Sequence, residues 1–370
     1  MASVHVSRLS KAFGEGPPVL RDVDLAVADG EFLAITGPSG SGKTTLLRII
    51  AGLETPTAGT VIIGGRDVTG AGPQAGDVAM VFQDYALFEH KSALRNITFP
   101  LEVRRVTPEK ERVRRARQEA RQFRIEHLLD RRPGQLSAGH RQAVATARSV
   151  VRESAALLMD EPLAHLDAAA RTQGRIELRR LHRELGATVL YVTNDQVEAM
   201  SLGDRIAVFD EGRLQQVDEP MRVYREPANT TVAEFIGTPQ MNLVPGELVA
   251  DPDGVHALVG NDRIALDDEA LAAMPGWRGY VGELVTVGIR PQDLTEPSPG
   301  APFPRCLHGR VTGIEDHGGE RYAAADLGVP GVRVVARLRA GGPERVGDPV
   351  ELEVAVGRVR CFDPATGRAL

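Results

Sequence analysis

Hydrophobic positions follow two different rules along this chain. In the first part, short apolar runs predict buried strands: Glu31-Phe32-Leu33-Ala34-Ile35-Thr36, Val78-Ala79-Met80-Val81-Phe82, Ala155-Ala156-Leu157-Leu158-Met159 and Thr188-Val189-Leu190-Tyr191-Val192-Thr193. Residues 1–30 alternate in β fashion, with turns at Gly14-Glu15-Gly16-Pro17-Pro18 and Asp29-Gly30, and Thr60-Val61-Ile62-Ile63 forms a strand ended by Gly64-Gly65. Between the strands lie helical patterns. One is Thr45–Ala51, with Gly52 placed to stop it, and another carries Leu178, Leu181 and Leu185 on one face. From about Glu234 the rule changes to short alternating strands, such as Val285, Val287 and Ile289, or Val350, Leu352, Val354 and Val356. The stiff stretch Glu296-Pro297-Ser298-Pro299-Gly300-Ala301-Pro302-Phe303-Pro304 lies between such strands. The pattern predicts an α/β domain followed by a small all-β domain.

The loop between the first buried strand and the helix at Thr45 carries the strongest chemical signal. Gly37-Pro38-Ser39-Gly40-Ser41-Gly42-Lys43-Thr44-Thr45 fits G-x-x-x-x-G-K-[ST] in the strand–loop–helix context that the motif requires. Its glycines let the backbone curl so that N–H groups point inward, and the helix N-terminus adds positive potential. Lys43 can reach the β- and γ-phosphates, and the Thr44 hydroxyl is placed to ligate Mg²⁺. The strand ending in Asp160-Glu161-Pro162 adds two carboxylates suited to a metal-binding and a water-activating role. A nucleoside triphosphate is the expected ligand.

Composition narrows the setting. A chain of 370 residues favours two domains. The formal net charge of −6 argues against nucleic acid as the main partner, since phosphate neutralisation needs concentrated Lys and Arg. The arginines of residues 102–129, among them Arg104, Arg105, Arg112, Arg114, Arg115, Arg117, Arg121 and Arg124, are interleaved with glutamates and read as one solvated amphipathic helix. Two cysteines, Cys306 and Cys361, exclude a disulfide framework and fit a reducing cytosol. With no bilayer-length apolar run, membrane association is expected only through a partner.

The order of motifs then resembles the ATP-binding subunit of an ABC transporter. The phosphate loop is followed by Gln83 after Val81-Phe82, by the signature-like Leu136-Ser137-Ala138-Gly139 with Ser137 as helix N-cap, by the Asp160-Glu161 strand, by Leu166-Asp167 in the D-loop position and by Asn194-Asp195 in the H-loop position. The tail, with Gly237-Thr238-Pro239-Gln240-Met241-Asn242 and Gly288-Ile289-Arg290-Pro291-Gln292-Asp293, is similar to carbohydrate importers of the maltose and glycerol-3-phosphate type. Polyamine, sulfate and iron importers share much of that layout. The resemblance implies an α/β P-loop NTPase domain over residues 1–235, with a helical subdomain at about 84–150, and an OB-like regulatory domain over 236–370. It also implies a homodimer on the cytoplasmic face of the membrane, docked under two integral-membrane permease subunits and served by an extracytoplasmic solute-binding protein.

By the same resemblance ATP sits between the phosphate loop of one copy and Ser137-Ala138-Gly139 of the other. Phe13 stacks on adenine, Gln83 and Asp160 join Thr44 around Mg²⁺, and Glu161 is the general base. Five positions depart from the pattern: Glu89 replaces Pro, Ala138 replaces Gly, His140 replaces Gln, Ala143 replaces Arg, and Asn194 replaces the His that contacts the γ-phosphate. Asn donates a hydrogen bond but carries no charge, so two readings stand open: an ATPase that drives uptake, or a subunit that clamps on ATP and scarcely turns over. DNA-repair ATPases of the same class are set aside, because they need a long coiled-coil insertion ahead of the signature.

Overall fold

The computed structural model describes residues 2–104, 108–152, 154–297 and 305–370. Arg105 and the Ser298–Pro304 part of the proline-rich loop lie outside the described residues. The chain divides into two compact units, residues 1–220 and 221–370.

The first unit is built on two sheets. β1 (Val4–Lys11), β2 (Leu20–Val27), β4 (Ala58–Ile63) and β5 (Arg66–Asp67) form an antiparallel sheet in the order β2-β1-β4-β5. The alternation in β1 and β2 buries Val4, Val6, Leu9, Leu20, Val23 and Leu25 on its inner face. The second sheet has the order β10-β9-β3-β8-β7-β6, from β3 (Phe32–Thr36), β6 (Val78–Val81), β7 (Ala156–Asp160), β8 (Val189–Val192), β9 (Arg205–Asp210) and β10 (Arg213–Asp218). All its pairings are parallel except that of the edge strand β10. β3, β7 and β8 are buried at every residue, which is why their sequences run apolar without alternation.

α1 (Lys43–Ile50) packs Leu46, Leu47, Ile49 and Ile50 into the core between the sheets. It ends at Gly52, whose φ is +70°, with Leu53 N donating to Arg48 O at 2.9 Å. On the other face of the parallel sheet, α5 (Ala168–Leu185) buries Leu178 and Leu181, and α6 (Gln196–Leu202) follows β8. A helical region, α2 (Ala93–Arg104), α3 (Glu109–Gln122) and α4 (Ala138–Val150), has its own core of Ile97, Leu101, Ala116, Ala120, Leu136 and Val144. The single helix expected over 102–129 is therefore corrected: Pro108 caps a new helix, α3, and a short 3₁₀ turn follows at Glu126–Leu128. The expected ion pairs are present, Glu111 holding Arg114 at 2.6 Å and Arg115 at 3.2 Å.

The second unit contains α7 (Pro220–Arg225), α8 (Thr230–Phe235), α9 (Asp268–Ala272) and two antiparallel five-stranded sheets. The first, from β11 (Asn242–Asp251), β12 (Gly254–Val259), β13 (Asp262–Leu266), β14 (Leu284–Ile289) and β20 (Arg360–Phe362), runs β13-β12-β11-β14-β20. The second, from β15 (Leu294–Thr295), β16 (Cys306–Asp316), β17 (Arg321–Asp326), β18 (Arg333–Leu338) and β19 (Pro349–Val354), runs β15-β19-β16-β17-β18. Both sheets contribute to one core, including Leu248, Val287, Leu307, Leu352 and Val354.

The unit begins at residue 221, ahead of the change in sequence pattern at Glu234. The reason is backbone bonding. Arg290, 2% exposed, donates from Nε to Tyr224 O at 2.9 Å and from Nη1 to Ile236 O at 2.6 Å, and Arg360 Nε donates to Arg225 O at 3.0 Å. The stretch from 221 to 236 is two short helices, α7 and α8, joined by a non-helical turn, so strand alternation could not reveal where it belongs.

Candidate nucleotide site

Four parallel strands of the first unit end side by side, and each releases a candidate residue at its carboxyl end. In sheet order they are β3, followed by residues 37–44; β8, followed by Asn194; β7, ending in Asp160-Glu161; and β6, followed by Gln83. Loops at the carboxyl ends of parallel strands are where open α/β sheets bind ligands.

The loop after β3 is closed by its own backbone. Gly37 has φ +148°, and a Cβ there would stand 2.0 Å from Phe209 O; at Gly42, φ +99°, it would stand 2.7 Å from Val19 O. Only glycine fits either place. Lys43 is 4% exposed, and its Nζ donates to Gly37 O and Pro38 O, both at 2.8 Å. The lysine thus curls back over the loop, holding a buried cation against a surface of backbone groups. Burial pulls the Lys43 ammonium below the ordinary lysine range, opposed by the Glu161 and Asp160 carboxylates.

Thr44 Oγ1 donates to Asp160 Oδ1 at 3.0 Å, joining α1 to the end of β7. Burial pushes the Asp160 carboxyl up, against the Thr44 hydrogen bond and the charges of Arg48 and Lys43. A hydroxyl and a carboxylate side by side are hard oxygen donors, the set that suits Mg²⁺. Glu161 follows in left-handed backbone, φ +45°, with its N–H donating to Val192 O at 2.9 Å. Such a conformation is uncommon for a residue with a Cβ. It turns the Glu161 side chain toward the end of β8, where Asn194 Nδ2 donates to Glu161 Oε1 at 2.5 Å.

The remaining candidates are separate from this cluster. Phe13 is 50% exposed with Lys11 Nζ 4.7 Å from its ring centre, so its aromatic face is not core packing. Gln83 is exposed in the turn after β6, and among the described residues no hydrogen bond joins it to Thr44, Asp160 or Glu161. Its turn is tightly held: Tyr85 and Ala86 have φ of +60° and +47°, and Arg148 of α4 donates to Tyr85 O at 2.9 Å and Ala86 O at 2.6 Å. Ser137 caps α4 as expected, its Oγ accepting from His140 N at 3.3 Å. Within one copy, among the described residues, no hydrogen bond or ion pair connects Ser137, Ala138 or Gly139 to the phosphate loop.

Sequence reasoning passed over Arg148 and Glu198. Arg148 looks like one more helical arginine, and nothing in its neighbours marks it as the residue that ties down the Gln83 turn.

Residues 20–164 match the family model described as ABC transporter, and residues 237–294 match the MalK OB fold domain. The chain is 43% identical to the trehalose/maltose import ATP-binding protein of Thermococcus litoralis over the full length of both. The chain belongs to the ABC transporter family. A second relative of this ATP-binding subunit is the sn-glycerol-3-phosphate import ATP-binding protein of Rhizobium meliloti, 42% identical, again over the whole of both chains. Among solved structures, a dimeric ATP-binding cassette in a post-hydrolysis state with ADP and Pi aligns with a TM-score of 0.54 and 31% identity, covering 59% of this chain and 98% of that one. The cbiO1 protein of Clostridium perfringens aligns with a TM-score of 0.56 and 29% identity, covering 60% of this chain and 90% of its own. The ABC subunit is accordingly a nucleotide-binding ATPase coupled to transport, carrying an OB-fold domain after its P-loop domain. No helix among the described residues is long and apolar enough to cross a membrane.

Proposed function

We propose that this ABC subunit hydrolyses ATP to drive import of a carbohydrate or a related polyol phosphate, acting as a homodimer on the cytoplasmic face of the membrane. It would dock beneath two permease subunits that receive the solute from an extracytoplasmic binding protein. The observation that carries the reading is the convergence of Lys43, Thr44, Asp160, Glu161 and Asn194 at the carboxyl ends of neighbouring parallel strands. Two relatives that match end to end are named for sugar and glycerol-3-phosphate import, which supports the solute class.

In this reading Gly37, Pro38, Ser39, Gly40, Ser41, Gly42 and Thr45 cradle the phosphates, Lys43 turns from its carbonyl partners to the β- and γ-phosphates, and Phe13 stacks on adenine. Mg²⁺ would be held by Thr44, Asp160 and Gln83 and would neutralise phosphate charge. Glu161 takes the proton of the water that attacks the γ-phosphorus. The bond from that phosphorus to its bridging oxygen breaks, leaving ADP and phosphate. Asn194 keeps the base aimed. Ser137, Ala138 and Gly139 of a second copy would close on the γ-phosphate with the N-terminus of α4. A mainly apolar cleft of 810 Å³ beside the Gln83 turn, lined by Met80, Phe82, Phe88, Phe99 and Arg148 among others, supports docking of an apolar permease helix.

Uptake of labelled maltose, glycerol-3-phosphate, spermidine or sulfate by cells with and without the gene tests the solute. Loss confined to the first two is expected, and loss confined to spermidine or sulfate would overturn the assignment. Phosphate release by the full chain tests the chemistry: Glu161→Gln should abolish turnover while ATP still binds.

A further inference from the structure

Beneath the Asn194 turn lies a polar network with no part in the chemistry just described. Glu198, in the first turn of α6, is 2% exposed. A carboxylate so buried needs partners. Its Oε2 accepts from Tyr191 Oη and from Thr193 Oγ1, both at 2.7 Å. Thr193 Oγ1 in turn accepts from Asp195 N at 3.0 Å, so the Thr193 hydroxyl spans residue 194 and ties both its neighbours to one carboxylate. Asp195 Oδ1 caps α6 by accepting from Val197 N at 2.8 Å and Glu198 N at 3.2 Å. Thr193 N donates to Ile35 O at 3.1 Å, on the strand that feeds the phosphate loop.

One long side chain brings in the next element. Arg171 of α5 lies 3.5 Å from Asp195 Oδ2 and 3.9 Å from Glu198 Oε1, while its Nη2 donates to Leu166 O at 3.1 Å. The backbone at 193–195 is therefore fixed from β3, α5 and α6 together. Asn194 reaches Glu161 from inside that ring, and the amide of an exposed Asn would otherwise sample several rotamers.

We infer that Glu198 is a positioning residue for hydrolysis: it holds the Thr193–Asp195 turn so that the Asn194 amide stays on the Glu161 carboxylate. The inference rests on the reading of Glu161 and Asn194 as the working pair. It also gives a physical account of how an Asn serves at this position. The short side chain is kept in place by the ring under it.

The test is steady-state phosphate release from Mg-ATP by the full chain, with nucleotide affinity and thermal unfolding measured on every variant. Glu198→Gln keeps the size and one acceptor but loses the charge facing Arg171. It should lower kcat about tenfold with KM for ATP within about twofold. In an Asn194→Ala background the same substitution should cost nothing further, because the ring then has no amide to aim. Tyr191→Phe removes one hydroxyl and keeps the carboxylate. It should show the same non-additivity at a smaller amplitude, and it serves if Glu198→Gln folds poorly. Losses that multiply across the double variant, or a lowered unfolding temperature with unchanged kcat, would make Glu198 a purely structural group and overturn the inference. If Asn194→Ala alone leaves kcat intact, it is the reading of the Glu161–Asn194 pair that fails, and the positioning role falls with it.

Discussion

Replacing Asn194 tests the most unusual contact of the site. Its amide lies 2.5 Å from Glu161 Oε1, a bond between a neutral donor and a carboxylate. Hydrogen bonds to charged groups contribute about 1.5–3 kcal/mol. Asn194 is exposed and Glu161 only half-buried, so solvent competes and the lower end applies. A loss of about 1.5 kcal/mol felt in the transition state is about a tenfold drop in rate. Asn194→Ala should thus release phosphate about tenfold more slowly, with KM for ATP changed by less than about twofold, since the contact is to the base and not to the nucleotide. Asn194→His should be no faster than the parent, because the Glu161 carboxylate already has its donor. The assay is steady-state phosphate release by the full chain at saturating Mg-ATP. An Asn194→Ala variant as fast as the parent would refute the reasoning. So would an Asn194→His variant many times faster, and that result would favour an ATP clamp with attenuated turnover.

Other predictions concern binding, stability and titration. Lys43→Ala removes the buried cation of the phosphate loop, together with its bonds to Gly37 O and Pro38 O, and should abolish binding of a fluorescent ATP analogue at a temperature where the variant is still folded. Arg290→Ala leaves the carbonyls of Tyr224 and Ile236 without a donor and removes the guanidinium stacked 3.7 Å from the Tyr224 ring centre. It should cost about 3 kcal/mol in urea unfolding of the second unit. Asp363, which accepts from Tyr280 Oη at 2.6 Å, titrates at about 2, below its ordinary value of 3.8. Its stabilising effect is therefore complete above about pH 4 and is lost as pH falls toward 2, and Tyr280→Phe should move the Asp363 carboxyl upward in an NMR titration. Burial pushes the thiol of Cys361 up to about 12 and that of Cys306 up to about 11, so both should react with a thiol reagent at pH 8 only after denaturation.

The strands that carry the site were legible because β3, β7 and β8 are buried on both faces and leave nothing but apolar residues to read. The phosphate loop was legible for a related reason: where a Cβ would meet Phe209 O or Val19 O, the sequence has no choice but glycine. The pairing of Thr44 with Asp160 came from the family resemblance and not from the chain's own pattern, and the bond from Asn194 to Glu161 was not foreseen, since neighbours in a parallel sheet are set by strand order and not by distance along the chain. Glu198 was hidden by its own helix. A glutamate in a first turn reads as a solvated residue facing the helix dipole, and only packing beneath β8 reveals that it is buried. The limits of α7 and α8 escaped for lack of alternation, although Arg290 and Arg360 decide which unit they join.

In the proposed dimer, a triphosphate resting on Lys43 is gripped from the other side by the Ser137 turn of a second copy. Light scattering of Glu161→Gln with and without ATP, run alone and together with the permease subunits, measures it directly. Face-to-face dimers should form with ATP, dissociate with ADP and be lost when Ser137 is replaced by a bulky residue. A protein whose two P-loop units stay apart with ATP under both conditions would contradict it.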